Sequence, residues 1–180
     1  MLRLTRIILI GVFTVALQTS DLLAQVNEVT KAPIETLYTR GLQACLEKEI
    51  EEYSSFSDRD LRKVVVERNF DLTRKLPNKL GQIELQYLDD VDLVEKYKAL
   101  PKAERERGIP FIKIFPLSDK DDKLIFAYNT YWFTYSETGG FFTRRKFNFS
   151  RALEGGCHAE ITFDTLQKKF VIEEVKLWGV

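Results

Sequence analysis

Cys45 and Cys157 are the only cysteines in the chain, and 112 residues separate them. Each sits on a different apolar rhythm. From Pro33 onward Ile34, Leu37, Tyr38, Gly41, Leu42, Cys45, Leu46, Ile50 and Tyr53 recur at three- and four-residue steps, the period of an amphipathic helix. Pro33 suits the first turn of that helix, where a missing N–H costs nothing. Gly41 lies on the apolar stripe, where a neighbour can pack close to the backbone. Around the second cysteine the period is two: Cys157, Ala159, Ile161 and Phe163 share one strand face, and His158, Glu160, Thr162 and Asp164 the other. Both thiols therefore face an interior layer, and a helix laid on a sheet would bring them together. A Cys45–Cys157 bridge is expected. Closing a loop of ~100 residues stabilises a fold by up to about 4.7 kcal/mol on chain-entropy grounds.

A bridge of this kind belongs outside the reducing cytosol, and the N-terminus agrees. Arg3 and Arg6 precede the uncharged run Ile7–Leu17, followed by a polar stretch holding Asp21 and ending at Ala24. This is the layout of a secretory leader. The run is shorter than the roughly 20 apolar residues a membrane-spanning helix needs. The expectation is a signal peptide over residues 1–24, cut between Ala24 and Gln25. Residues 25–180 then form a single soluble domain, secreted or periplasmic, with no membrane insertion of the mature chain.

Cutting there removes Arg3, Arg6 and Asp21, so the 27 basic and 27 acidic side chains fall to 25 and 26. A chain this balanced lacks the cationic excess that phosphate neutralisation demands, and nucleic acid is excluded as a partner. About 156 residues suffice for one core burying about 68–70% of the unfolded chain's surface.

Further along, Val64–Val66 reads as a short strand and Asn69–Lys79 as a loop around Pro77. Gln82–Tyr87 alternates, with Ile83, Leu85 and Tyr87 on one face. Asp89, Asp90 and Asp92 open a second helix through Leu93, Val94, Tyr97 and Leu100, with Asp92 and Glu95 at capping-box spacing. The charged stretch Pro101–Gly108 separates this half from five strand-like runs, roughly 109–117, 123–136, 141–151, 156–164 and 169–178. The polar breaks between them suit antiparallel hairpins. Gly139-Gly140 and Gly155-Gly156 read as turn residues there, permissive of positive φ. The fold class expected is α+β, an N-terminal helix packed on a curved antiparallel meander of about five strands, plus a short second helix. That order resembles, in layout alone, cystatin-like and nuclear-transport-factor-like cones. No motif of either family is present in the chain.

The motifs that carry chemistry fail their spacing checks. No phosphate-binding glycine loop and no Gly-x-Ser-x-Gly elbow occurs. An EF-hand loop beginning at Asp119 would meet Lys123, Leu124 and Thr130 where an oxygen ligand, Gly and an acid are required. His158, the single histidine, adjoins Cys157, but neighbours on a strand point to opposite faces and cannot share an ion. No metal and no cofactor is expected. Ten of the 22 aromatic side chains fall within residues 121–150. Ile125, Ala127, Tyr131, Phe133 and Tyr135 occupy one strand face, and Leu124, Phe126, Tyr128 and Trp132 the other. Two covered faces would account for this pattern. The functional alternative is a surface presenting Tyr128 and Trp132 beside Arg144 and Lys146 to an unknown small molecule or protein. The leading expectation is a non-enzymatic exported binding domain. The alternative is a small enzyme with a pocket inside the sheet, using an isolated acid or His158 as general acid or base. Asn148-Phe149-Ser150 is a glycosylation sequon, of use only in a eukaryotic secretory host.

Overall fold

The computed structural model describes residues 34–53, 60–69, 71–138 and 146–179. The leader and its cleavage position, Pro33, Gly139-Gly140 and Arg144 lie outside them. Helix α1 spans Ile34–Tyr53 and buries Leu37, Tyr38, Gly41, Leu42, Cys45, Leu46 and Glu49. The stripe is the one its spacing implies, except that Ile34 is 51% exposed and Glu49 is drawn inward. No helix among the described residues is long and apolar enough to cross a membrane.

Eight strands follow among the described residues, in one mostly antiparallel sheet. They are β1 (Lys63–Glu67), β2 (Lys79–Leu80), β3 (Ile83–Leu88), β4 (Ile109–Ile114), β5 (Ser118–Lys120), β6 (Lys123–Thr138), β7 (Lys146–Asp164) and β8 (Lys169–Gly179). The order across the sheet is β2-β3-β1-β4-β6-β7-β8, with β5 on β6. The meander of about five strands is therefore corrected in number and direction. β1 runs parallel to both β3 and β4 and lies between them. Parallel strands need a long crossover, and residues 89–108 carry the chain from β3 past β1 to β4, which runs the same way. They contain α2 (Asp90–Ala99) and α3 (Lys102–Arg107), the second of which the charged spacer Pro101–Gly108 did not announce. Asp89 caps α2: its carboxylate accepts from the backbone N–H of Val91 and Asp92, and Asp92 accepts from the N–H of Asp89. The capping box is thus Asp89 with Asp92, one turn earlier than the Asp92–Glu95 spacing implied.

Each helix layer covers one face. On the first, Tyr38 of α1 meets Phe126 edge to face at 6.0 Å, and Cys45 forms a disulfide with Cys157 of β7, Cα atoms 5.9 Å apart. On the other, Leu93 of α2 packs with Leu88, Ile109, Phe111 and Phe133, and Tyr97 meets Phe133 edge to face. Strand β6 is aromatic on both sides because helices cover both.

The segment Leu153–Gly156 is not a hairpin turn. β7 runs through it without a break, pairing Gly156 with Asn129 of β6 and Trp178 of β8. Neither Gly155 nor Gly156 has a positive φ. A Cβ on Gly156 would lie 2.4 Å from the carbonyl oxygen of Tyr128 and 2.8 Å from the Trp178 ring, and one on Gly155 would lie 2.5 Å from the Trp178 carbonyl oxygen. These glycines serve close approach, and the Trp178 ring lies against the bare backbone at Gly156. The register also slips here: Thr130 faces Gly155 and Tyr131 faces Leu153, leaving Glu154 as the extra residue of a bulge.

Candidate functional site

The ladder between β1 and β4 consists of one bridge, Val66 to Ile112. In that parallel register the next pair toward the N-terminal ends would be Val64 with Pro110. Pro110 has no N–H to donate, so the ladder stops there and the two strands part. The opening is lined from both sides of the sheet. Toward α1 a small cavity of about 20 Å³ is bordered by Leu46 and Glu49; toward α2 and α3 lies a groove of about 460 Å³. Lys63, Val64, Val65 and Pro110 border both. The first holds a water molecule at most. The second falls within the roughly 300–1,000 Å³ range of small-molecule sites.

Six apolar residues border the groove: Val64, Val65, Leu85, Leu100, Ile109 and Pro110. Its polar residues come from β1, β3, α2 and α3, as Lys63, Glu84, Gln86, Lys96 and Glu104. The ammonium of Lys96 donates to the Gln86 side-chain oxygen at 2.6 Å, and that of Lys63 lies 3.6 Å from an Asp60 carboxylate oxygen. Gly108 turns the chain from α3 into β4 with φ +88°, and a Cβ there would lie 2.6 Å from the Phe133 carbonyl oxygen. The space is large enough for a molecule of modest size and offers it both apolar and polar contacts. Among the described residues no group of His, Cys, Asp or Glu side chains could hold a metal ion.

The residues singled out from the sequence lie elsewhere. Tyr128 is 1% exposed, beneath α1, and its hydroxyl donates to the Glu49 carboxylate at 2.6 Å. It is a core contact, not part of a presented surface; alternation shows which residues share a face, but not which face a helix covers. Trp132 is half-buried on the same face of β6. Lys146 pairs through its backbone with Thr138, and Asn148 with Ser136, at the far end of the β6–β7 hairpin. Their side chains, like Arg144, lie outside what is described. His158 is half-buried on the face opposite the disulfide, in register with Ala127 and Lys176. Its ring has no hydrogen-bond partner among the described residues. The groove residues carry one sequence signal, a proline inside a strand-like run at Pro110.

A second polar cluster lies at the C-terminal end of β1. Glu67, 5% exposed, receives the Arg151 guanidinium at 2.6 Å and the Lys113 ammonium at 3.3 Å, and Arg151 also pairs with Asp90 at the start of α2. The Arg151 guanidinium lies over the Phe111 ring, 5.6 Å from its centre. This network joins β1, β4, β7 and α2 around the buried Glu67 and has no adjoining cavity of ligand size among those described.

No family model matches the chain, and neither a curated protein nor a solved structure matches it significantly.

Proposed function

We propose that this protein is an exported, non-enzymatic binding domain that holds a small amphipathic molecule in the groove beside the parted β1–β4 seam. The observation that carries the reading is the groove itself: about 460 Å³ of space bordered by six apolar and five polar residues. Export rests on the leader pattern of residues 1–24, and the disulfide suits the oxidising compartment such a leader implies. A parted ladder also leaves backbone donors and acceptors near the ligand, where they can fix its orientation.

The test uses naphthalenemethanol, a neutral apolar probe, titrated calorimetrically into the full chain with its disulfide intact. Saturable binding of one equivalent is expected. Gln86→Trp, which adds bulk at an exposed position on the groove rim, should weaken it about tenfold or more while leaving the melting temperature nearly unchanged. Binding that Gln86→Trp leaves unaltered, or no saturable binding at all, rules the groove out.

A further inference from the structure

We infer that the sheet face carrying Trp178 is a second binding site, and that its ligand is a sugar ring; it shares no residue with the groove and does not depend on it. Directly opposed residues of an antiparallel pair project to the same face. Asn129, Gly156 and Trp178 form such a row across β6, β7 and β8, and Ala127, His158 and Lys176 form the next row on that face. The first row has a gap at its centre, because Gly156 has no side chain. Trp178 fills it: the ring leans from β8 over β7, with Cε2 and Cζ2 each 2.8 Å from where a Gly156 Cβ would stand. The residue is nonetheless 42% exposed. The indole therefore rests on backbone and keeps an outer surface in solvent. From behind, the Cys45–Cys157 disulfide fastens β7 to α1 between Gly156 and His158, so the platform is rigid before a ligand arrives.

The neighbours of the ring decide the ligand class. Strands lie about 5 Å apart, and alternate residues about 7 Å apart along a strand, which sets Asn129 and His158 beside the indole. Both are half-buried. Asn129 donates its amide N–H to the Tyr131 hydroxyl at 3.3 Å, which leaves its carbonyl oxygen without a protein donor among the described residues. Neither nitrogen of His158 has a partner there. A free acceptor and an imidazole next to an aromatic surface match a pyranose, which carries C–H bonds on its faces and hydroxyls around its edge. A wholly apolar ligand would gain a single wall, and would strip water from both polar groups without replacing it.

The experiment titrates cellotetraose, maltotetraose and chitotetraose calorimetrically into the full chain with its disulfide intact. Saturable binding of at least one is expected. Trp178→Ala should weaken it about tenfold or more. Trp178→Leu, which keeps apolar cover over Gly156 and so guards against a folding defect, should weaken it as much. Asn129→Ala should weaken it about threefold or more, while Gln86→Trp should leave it unchanged. In Trp132→Phe, where Trp178 is the one remaining tryptophan, the same sugar should shift the emission. Binding of none of the three, or binding indifferent to both Trp178 variants, overturns the sugar platform and leaves the groove standing. Binding abolished by Gln86→Trp also overturns it, since the sugar would then lie in the groove.

Discussion

The backbone of α1 approaches β6 so closely at Gly41 that a Cβ there would lie 2.4 Å from Cγ of Phe126. Phe126 is fully buried and held edge to face by Tyr38 and Tyr128, so it cannot swing away. In an open helix Gly→Ala would stabilise by about 1 kcal/mol through propensity. Here overpacking outweighs that gain. Gly41→Ala should lower stability by about 1–3 kcal/mol in denaturant titration. A neutral or stabilising result would mean that α1 does not sit this close to the sheet.

The Cys45–Cys157 bridge ties α1 to β7 across 112 residues of chain. Its removal as Cys45→Ala with Cys157→Ala should cost about 2–5 kcal/mol, because the unfolded chain regains its loop entropy. Peptide mapping under non-reducing conditions should link the two cysteine peptides in exported material. Two freely alkylated thiols would overturn both the bridge and the placement of the helix.

Arg151→Met tests the network around the buried Glu67. The substitution keeps bulk over Phe111 but leaves the carboxylate with Lys113 alone. Since Arg151 is itself about a third exposed, the expected loss is about 1–3 kcal/mol, below that for a fully buried pair. Adding Glu67→Leu should recover part of it, since no buried charge then remains. Additive losses in the double-mutant cycle would show that the two side chains do not interact.

Tyr87 responds to alkali. Burial pushes its phenol up to about 12, and its hydroxyl donates to the Pro77 carbonyl at 3.0 Å. The folded value exceeds the unfolded one of about 10. The stability this contributes is complete below about pH 10 and is lost as the pH climbs toward about 12. Melting temperatures of the native chain should therefore fall more steeply across that window than those of Tyr87→Phe. Parallel curves would show that Tyr87 titrates as it does in water.

Acidic groups on the open sheet face follow the opposite sign. The Lys123 ammonium holds the Glu160 and Glu173 carboxylates below their usual range, and Lys123 is itself raised by them. What these pairs add is present above the ordinary carboxylate range and fades as acid protonates them. Glu173 is exposed while Lys123 and Glu160 are half-buried, and salt should reduce the effect of the pairs. Lys123→Met should flatten the acid limb of the stability curve, and an unchanged limb would deny the pairs any role.

Local periodicity determined a good part of this protein. The stripe of α1, the alternation of β3 and β7 and the two aromatic faces of β6 follow from steps of 3.6 and 2, because one side of each element must leave water. The disulfide was legible for the same reason, as the inward face of a helix and the inward face of a strand are both local properties. Tertiary structure alone decided that β1 lies between β3 and β4, that Gly155-Gly156 runs on inside a strand, and that Tyr128 is covered while a groove opens at Pro110. Which strand lies beside which, and what covers each face, depends on contacts between residues far apart in the chain, and no local rhythm encodes them.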